Sequence, residues 1–201
     1  VAAGVVLEGI ENGTLVITRN RVHTSITPLG VGRGLRTKIN ANIGTSKERM
    51  SVDGEIEKLK AAVAAGADAV MDLSTGGPIV GIRKEILRQS TVAIGTVPIY
   101  QAAVETVASG RSIVQMDPEV LFRVIEEQCA EGVDFITVHC GVTRGSVERL
   151  QRQGRIMDVV SRGGAFHLEW ILVNEQENPL YRQYDRLVEI AKKYDVTLSL
   201  G

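Results

Sequence analysis

The 201 residues are 44% hydrophobic and include 21 glycines against 5 prolines, which provides for one buried core and suits an α/β protein with many tight turns. A formal net charge of −1, from 23 basic and 24 acidic residues, gives no electrostatic reason to expect nucleic acid or an anionic membrane as partner, and no apolar run approaches the roughly 18–20 residues of a membrane span. Two cysteines are too few for a disulfide framework and no opening stretch reads as a signal peptide, so a cytoplasmic, reducing setting and a small-molecule partner are expected.

The opening segment, residues 1–29, contains a short alternating strand at Thr14–Thr18 outside any repeat. From Gly30 the composition shifts to Gly-Val-Gly-Arg-Gly, and a strand from Leu35 finishes on Asn40, Asn42 and Gly44. Ile56, Leu59 and Val63 recur at helical spacing, and Val70–Leu73 is a short apolar strand that breaks into Ser74-Thr75-Gly76-Gly77. Pro78 suits a first helical turn, and Ile79, Ile82 and Ile86 form the stripe of the helix it opens. Val92–Val97 is the next buried strand, delivering Pro98-Ile99-Tyr100-Gln101. After an intervening helix, Asp117 and Pro118 start another, with Leu121, Ile125 and Cys129 stacked four apart and Gly132 stopping it. Val133–Val138 delivers His139-Cys140-Gly141. A polar helix then runs through Val147 and Leu150 to Gly154, and Ile156–Val160 reads as a strand delivering Ser161-Arg162-Gly163-Gly164. Ala165–Asn174 looks helical. Asn178 and Pro179 open an amphipathic helix, with Leu180, Tyr184, Leu187, Val188 and Ala191 on one face, that feeds Val196–Gly201.

Six strands alternating with helices predict a parallel sheet covered by helices. Nearly every strand ends in chemically loaded residues, which favours a (βα)8 TIM-type barrel over a doubly wound sheet with one switch point. Such a barrel takes roughly 250 residues, so residues 30–201 are expected to supply about six of its βα units as a partial catalytic domain.

Asn40 and Asn42, two apart, share a strand face and suit either a heterocycle's edge or a turn. Ser74–Gly77 reads equally as an anion cradle or as the start of the next helix. Tyr100 could stack on a ring or pack at the rim. His139, directly after a strand, is a candidate ligand-binding imidazole, and Cys140 beside it reads as a packed thiol. Ser161-Arg162-Gly163 joins a hydroxyl, a guanidinium and a bare backbone at a helix start, the best phosphate cradle in the chain. Cys129 reads as core, and His23 and His167 as isolated, structural or exposed residues.

Arg36–Gly44, Met71–Gly76, Gly95–Gln101, Thr137–Val142, Val160–Gly164 and Asp195–Gly201, in this order, resemble the phosphomethylpyrimidine synthase (thiamine-pyrimidine, ThiC) family, with its 5-hydroxybenzimidazole synthase sister group. The resemblance covers the chain from about Gly30 onward. It implies a homodimeric barrel enzyme that rearranges 5-aminoimidazole ribotide through a radical made from S-adenosylmethionine at a [4Fe–4S] cluster. Substrate binding then falls on Asn42, Met71, Tyr100, His139, Ser161, Arg162 and Gly163. The ligands of the cluster and of a divalent metal such as zinc are implied to lie outside these 201 residues, so the chain alone is expected to be inactive. Phe166-His167-Leu168-Glu169-Trp170 departs from the small and apolar residues expected of the thiamine enzymes and keeps the sister product, a hydroxybenzimidazole of cobamide synthesis, as the alternative. More distant alternatives are a non-radical lyase on a phosphosugar, with His139 as acid or base and Lys38 as the only Schiff-base candidate, and a binding module without turnover.

Overall fold

The computed structural model describes residues 1–200; Gly201, which closes the last expected strand, lies outside the described residues. In chain order the elements are α1 (Ala3–Glu11), β1 (Leu15–Thr18), β2 (Leu29–Gly32), β3 (Asn40–Ile43), α2 (Val52–Ala64), β4 (Ala69–Asp72), α3 (Ile79–Gln89), β5 (Ala93–Thr96) and α4 (Pro98–Ala108). A 3₁₀ turn at Ile113–Gln115 leads to α5 (Pro118–Glu131), β6 (Phe135–Thr137), α6 (Arg144–Gln153), α7 (Arg162–Asn174), α8 (Pro179–Arg182), α9 (Tyr184–Tyr194) and β7 (Thr197–Ser199). β1 and β2 form an antiparallel hairpin, while β3-β4-β5-β6-β7 lie side by side in a parallel sheet whose order is the order of the chain.

The local signals act as the residue types dictate. The Asp117 carboxylate accepts the Glu119 N–H at 2.9 Å, Pro118 takes the first turn of α5, and Gly132 ends that helix at φ 111°. Leu121, Ile125 and Cys129 are fully buried against the sheet. The long helix expected after Asn178 is instead two, because Gln183, at φ −113° and ψ 40°, leaves helical geometry between α8 and α9.

The strand expected at Ile156–Val160 is absent. That segment is an irregular connection between α6 and α7, with Met157 65% and Val160 70% exposed. β7 occupies the position beside β6, pairing Phe135 with Thr197 and Thr137 with Ser199, so the sheet offers no gap there for another strand. The described residues therefore hold five parallel strands rather than six.

The two faces of this sheet differ. One packs Ile43, Val70, Ile94 and Ile136 into the helices, in the same core as Ile82, Ile86, Leu121 and Ile125. The other carries the register row Asn42, Met71, Gly95, Phe135 and Thr197. A Cβ at Gly95 would collide with the Phe135 ring, so the aromatic lies across β5 only because that position has no side chain. Below this row Ile26 packs with Ala69 and Ala93, with Leu29 and Phe135 against them.

Asp134 ties the N-terminal segment to the sheet. Its carboxylate accepts the N–H groups of Asn20 and Ile94 and the Nδ1–H of His23, each at 2.7 Å. Asn20 Nδ2 also donates to the carbonyls of Cys129 and Val133. His23, read from sequence as isolated, is thus buried and paired across 111 residues.

Candidate functional site

A parallel sheet delivers every strand's C-terminal end to one side, and the loops there bring together most of the residues singled out by sequence. Asn42 stands beside Met71 in register, and Met71 also packs against the edge of the main core. Asn40 Nδ2 donates to Asn42 Oδ1 at 2.9 Å, so the two amides do share a face, both exposed. Met71 is half-buried.

Ser74–Gly77 does not cap α3 through a side chain, and its polar groups bond within the neighbouring loops. Ser74 Oγ donates to the buried Asp72 carboxylate at 2.5 Å and accepts the Thr45 N–H at 3.0 Å, and Thr45 Oγ1 donates to the Gly76 carbonyl at 2.6 Å. The stretch clamps the loop after β3 onto the loop after β4, while α3 begins at Ile79, with Pro78 at the capping position just before it and no side-chain cap. Burial raises the proton affinity of Asp72, and the Ser74 bonds oppose that shift.

The second group is contiguous. His139 follows β6 by two residues and holds a left-handed backbone, φ 46°, a strained conformation for a residue with a Cβ. Asn178 Nδ2 fixes this turn by donating to the carbonyls of His139 at 3.1 Å and Val142 at 2.9 Å. The His139 ring packs against the Cα of Gly163, where a Cβ would overlap it. Ser161 caps α7, accepting the Gly164 N–H at 3.0 Å. The N–H groups of the first turn of α7 and the exposed Arg162 beside them make a donor-rich, electropositive corner. The Arg162 guanidinium lies 5.3 Å from the centroid of the Tyr100 ring, which in turn meets Phe166 edge-on at 6.3 Å. Tyr100, Arg162 and Phe166 also line a cleft of about 640 Å³ between α4, α7 and the loop after β3.

Burial lowers the proton affinity of His139, so its ring is neutral near pH 7. His167, which sequence reading treated as isolated, is 1% exposed, with its ring centroid 6.1 Å from that of His139. Its position on α7, four residues after Gly163, is the signal that could have placed it here.

Cys129 and Cys140 are both buried, their thiols pushed up to about 12 and about 11 by desolvation. Among the described residues no group of three or more His, Cys, Asp or Glu could hold a metal ion. These side chains do not fit an iron–sulfur cluster or a zinc ion. Alkylation of the native full-length protein at pH 8 is expected to spare both cysteines, and alkylation in denaturant to modify both, as read by peptide mass mapping. Rapid native labelling of either would contradict the buried placement.

No helix among the described residues is long and apolar enough to cross a membrane. A model of the radical SAM ThiC family matches residues 1–201. The phosphomethylpyrimidine synthase of Thermoanaerobacter sp. (strain X514) is 59% identical over 196 residues, which are 98% of this chain and 45% of that protein. The phosphomethylpyrimidine synthases of Moorella thermoacetica and Syntrophus aciditrophicus are 59% and 55% identical, over 94% and 96% of this chain. The chain spans just under half the length of these curated relatives.

Proposed function

Because the chain belongs to the radical SAM ThiC family, we propose that it forms part of a phosphomethylpyrimidine synthase. In this reading the full-length enzyme rearranges 5-aminoimidazole ribotide to hydroxymethylpyrimidine phosphate in thiamine synthesis. Residues 30–201 contribute strands to a (βα)8 barrel, residues 1–29 form a separate N-terminal segment, and the enzyme is a cytoplasmic homodimer. The family name implies S-adenosylmethionine and a [4Fe–4S] cluster; the cluster's ligands, and those of any zinc, belong to parts of the protein other than these residues.

The observation that carries the reading is the contact chain from His139 through Gly163 and Arg162 to Tyr100, on the same end of the sheet as Asn42 and Met71. Ser161, Arg162 and Gly163 bind the phosphate: helix N–H groups point at the oxyanion, and the guanidinium balances its charge. His139 and Tyr100 position the ribose and ring from one side. Met71 and Asn42 meet the heterocycle from the other, the thioether as an apolar wall and the amide as donor or acceptor.

Anaerobic reconstitution of the full-length enzyme with S-adenosylmethionine and the ribotide tests the whole reading. Mass spectrometry is expected to find hydroxymethylpyrimidine phosphate. Hydroxybenzimidazole would assign the enzyme to the sister group, and turnover in air without iron would point to the non-radical lyase. Met71→Ala is expected to weaken ribotide binding about tenfold, the worth of one lost apolar wall contact, with a melting temperature close to wild type. A large loss of stability with unchanged affinity would make Met71 a packing residue only.

A further inference from the structure

His167 lies within α7 with its Nε2 buried and without a hydrogen-bond partner. His139, whose ring is 6.1 Å away and tilted by 41°, has its buried Nδ1 in the same condition. Among the described residues the only other such atoms are Glu55 Oε2 and Arg83 Nη2, and the latter lies 2.7 Å from the Glu131 carboxylate, so the two neighbouring imidazoles stand out. A buried polar atom left unpaired keeps its full desolvation penalty, and native proteins almost always satisfy such atoms. Two of them side by side call for one shared solution.

A metal ion is a poor one, because among the described residues no third ligand of the usual kinds joins the pair. Desolvation lowers the proton affinity of both rings, that of His167 to about 3. Each is therefore neutral near pH 7, with one N–H and one bare nitrogen. A donor on one ring can be matched to an acceptor on the other through a bridging water.

We propose that His167 is a positioning residue: His139 Nδ1–H donates to a water that in turn donates to His167 Nε2, which holds His139 in the Nδ1–H tautomer. The Nε2 of His139 is then a bare acceptor offered to the ligand. This complements the rest of the corner, where the helix N–H groups and Arg162 supply donors for phosphate. A ribotide also brings amino and hydroxyl hydrogens, which need an acceptor. The identity of that ligand rests on the function proposed above, whereas the link between the two imidazoles does not.

The full-length protein labelled with ¹⁵N-histidine allows a direct test at pH 7.5, with His139→Gln identifying the His139 signals. His139 is expected to show a protonated Nδ1 and a bare Nε2. In His167→Leu the His139 signals should move to a mixture of tautomers, and ribotide affinity measured by calorimetry should fall about tenfold, the worth of one hydrogen bond to a ligand. His167→Gln, whose amide oxygen can accept in place of Nε2, should keep the tautomer and most of the affinity. An Nε2–H tautomer in the wild type, or unchanged His139 signals in His167→Leu, would overturn the proposal. Should the leucine variant not fold, the wild-type tautomer and the glutamine variant decide, and loss of the tautomer in the latter counts against the link. Failure of the wild type to bind ribotide would remove the ligand while the tautomer measurement still judges the link.

Discussion

Asp134→Ala is expected to lower the stability of the full-length protein by about 3–5 kcal/mol, the usual cost of removing one partner from a buried, fully hydrogen-bonded polar centre. The carboxylate is 0% exposed and accepts three hydrogen bonds. Alanine would leave the Asn20 and Ile94 N–H groups and the His23 ring without their acceptor. One of these donors belongs to β5 and two to the N-terminal segment, so both the sheet and the attachment of residues 19–24 suffer together. Chemical denaturation would read the global effect. Limited trypsin digestion would read the local one, as faster cleavage after Arg19 and Arg21. Asp134→Asn keeps an acceptor oxygen and should lose less. A loss below about 1 kcal/mol for alanine, within the range of a surface substitution, would mean that Asp134 does not hold the segment.

Gly163→Ala is expected to reduce ribotide affinity about 10- to 100-fold, the equivalent of the roughly 1–3 kcal/mol that overpacking costs. The added Cβ would lie 2.8 Å from His139 Nδ1 and 3.0 Å from Nε2, and closer still to Cε1. The backbone of His139 cannot retreat easily, because Asn178 holds its carbonyl and its φ is already in the left-handed region. The imidazole must therefore swing out of place, and α7 shifts away from β6 if it does not. Calorimetry of the full-length variant checks the affinity, and a thermal melt separates that loss from unfolding. Arg162→Ala is the useful companion. It removes the guanidinium from Tyr100 without adding an atom near His139, so it should weaken phosphate binding and leave the imidazole signals in place. Wild-type affinity in Gly163→Ala would show that the His139 ring position is irrelevant to the ligand.

Local chemistry made much of the fold legible. Apolar runs bounded by glycine and proline locate β4, β5 and β6 to within two residues, and Asp117, Pro118 and Gly132 delimit α5. Ile156–Val160 misled because a short apolar run has the same pattern whether it enters a sheet or crosses a surface. Only the pairing of β7 with β6 excludes it. The site was legible where its residues are neighbours in sequence, as in Ser161-Arg162-Gly163. The links of His23 to Asp134 and of His139 to Gly163 were not, since contacts across dozens of residues leave no periodicity to read. Ser74 shows the same limit at short range. Its hydroxyl suits a cap or a cradle equally well, and its bond to Thr45, supplied by another loop, left no local sign.

The order of the sheet also bears on synthesis. Each of β4 to β7 is laid beside the strand made just before it, so the sheet can grow strand by strand as the chain leaves the ribosome, with little loop entropy to overcome at each addition. The N-terminal segment runs against this direction. Asn20 must wait for Asp134, made 114 residues later, and the Arg21 N–H for the Tyr194 carbonyl, later still. Residues 19–24, made before the sheet, are thus fixed after most of it, and the segment can latch only onto a sheet that has already reached its fourth strand.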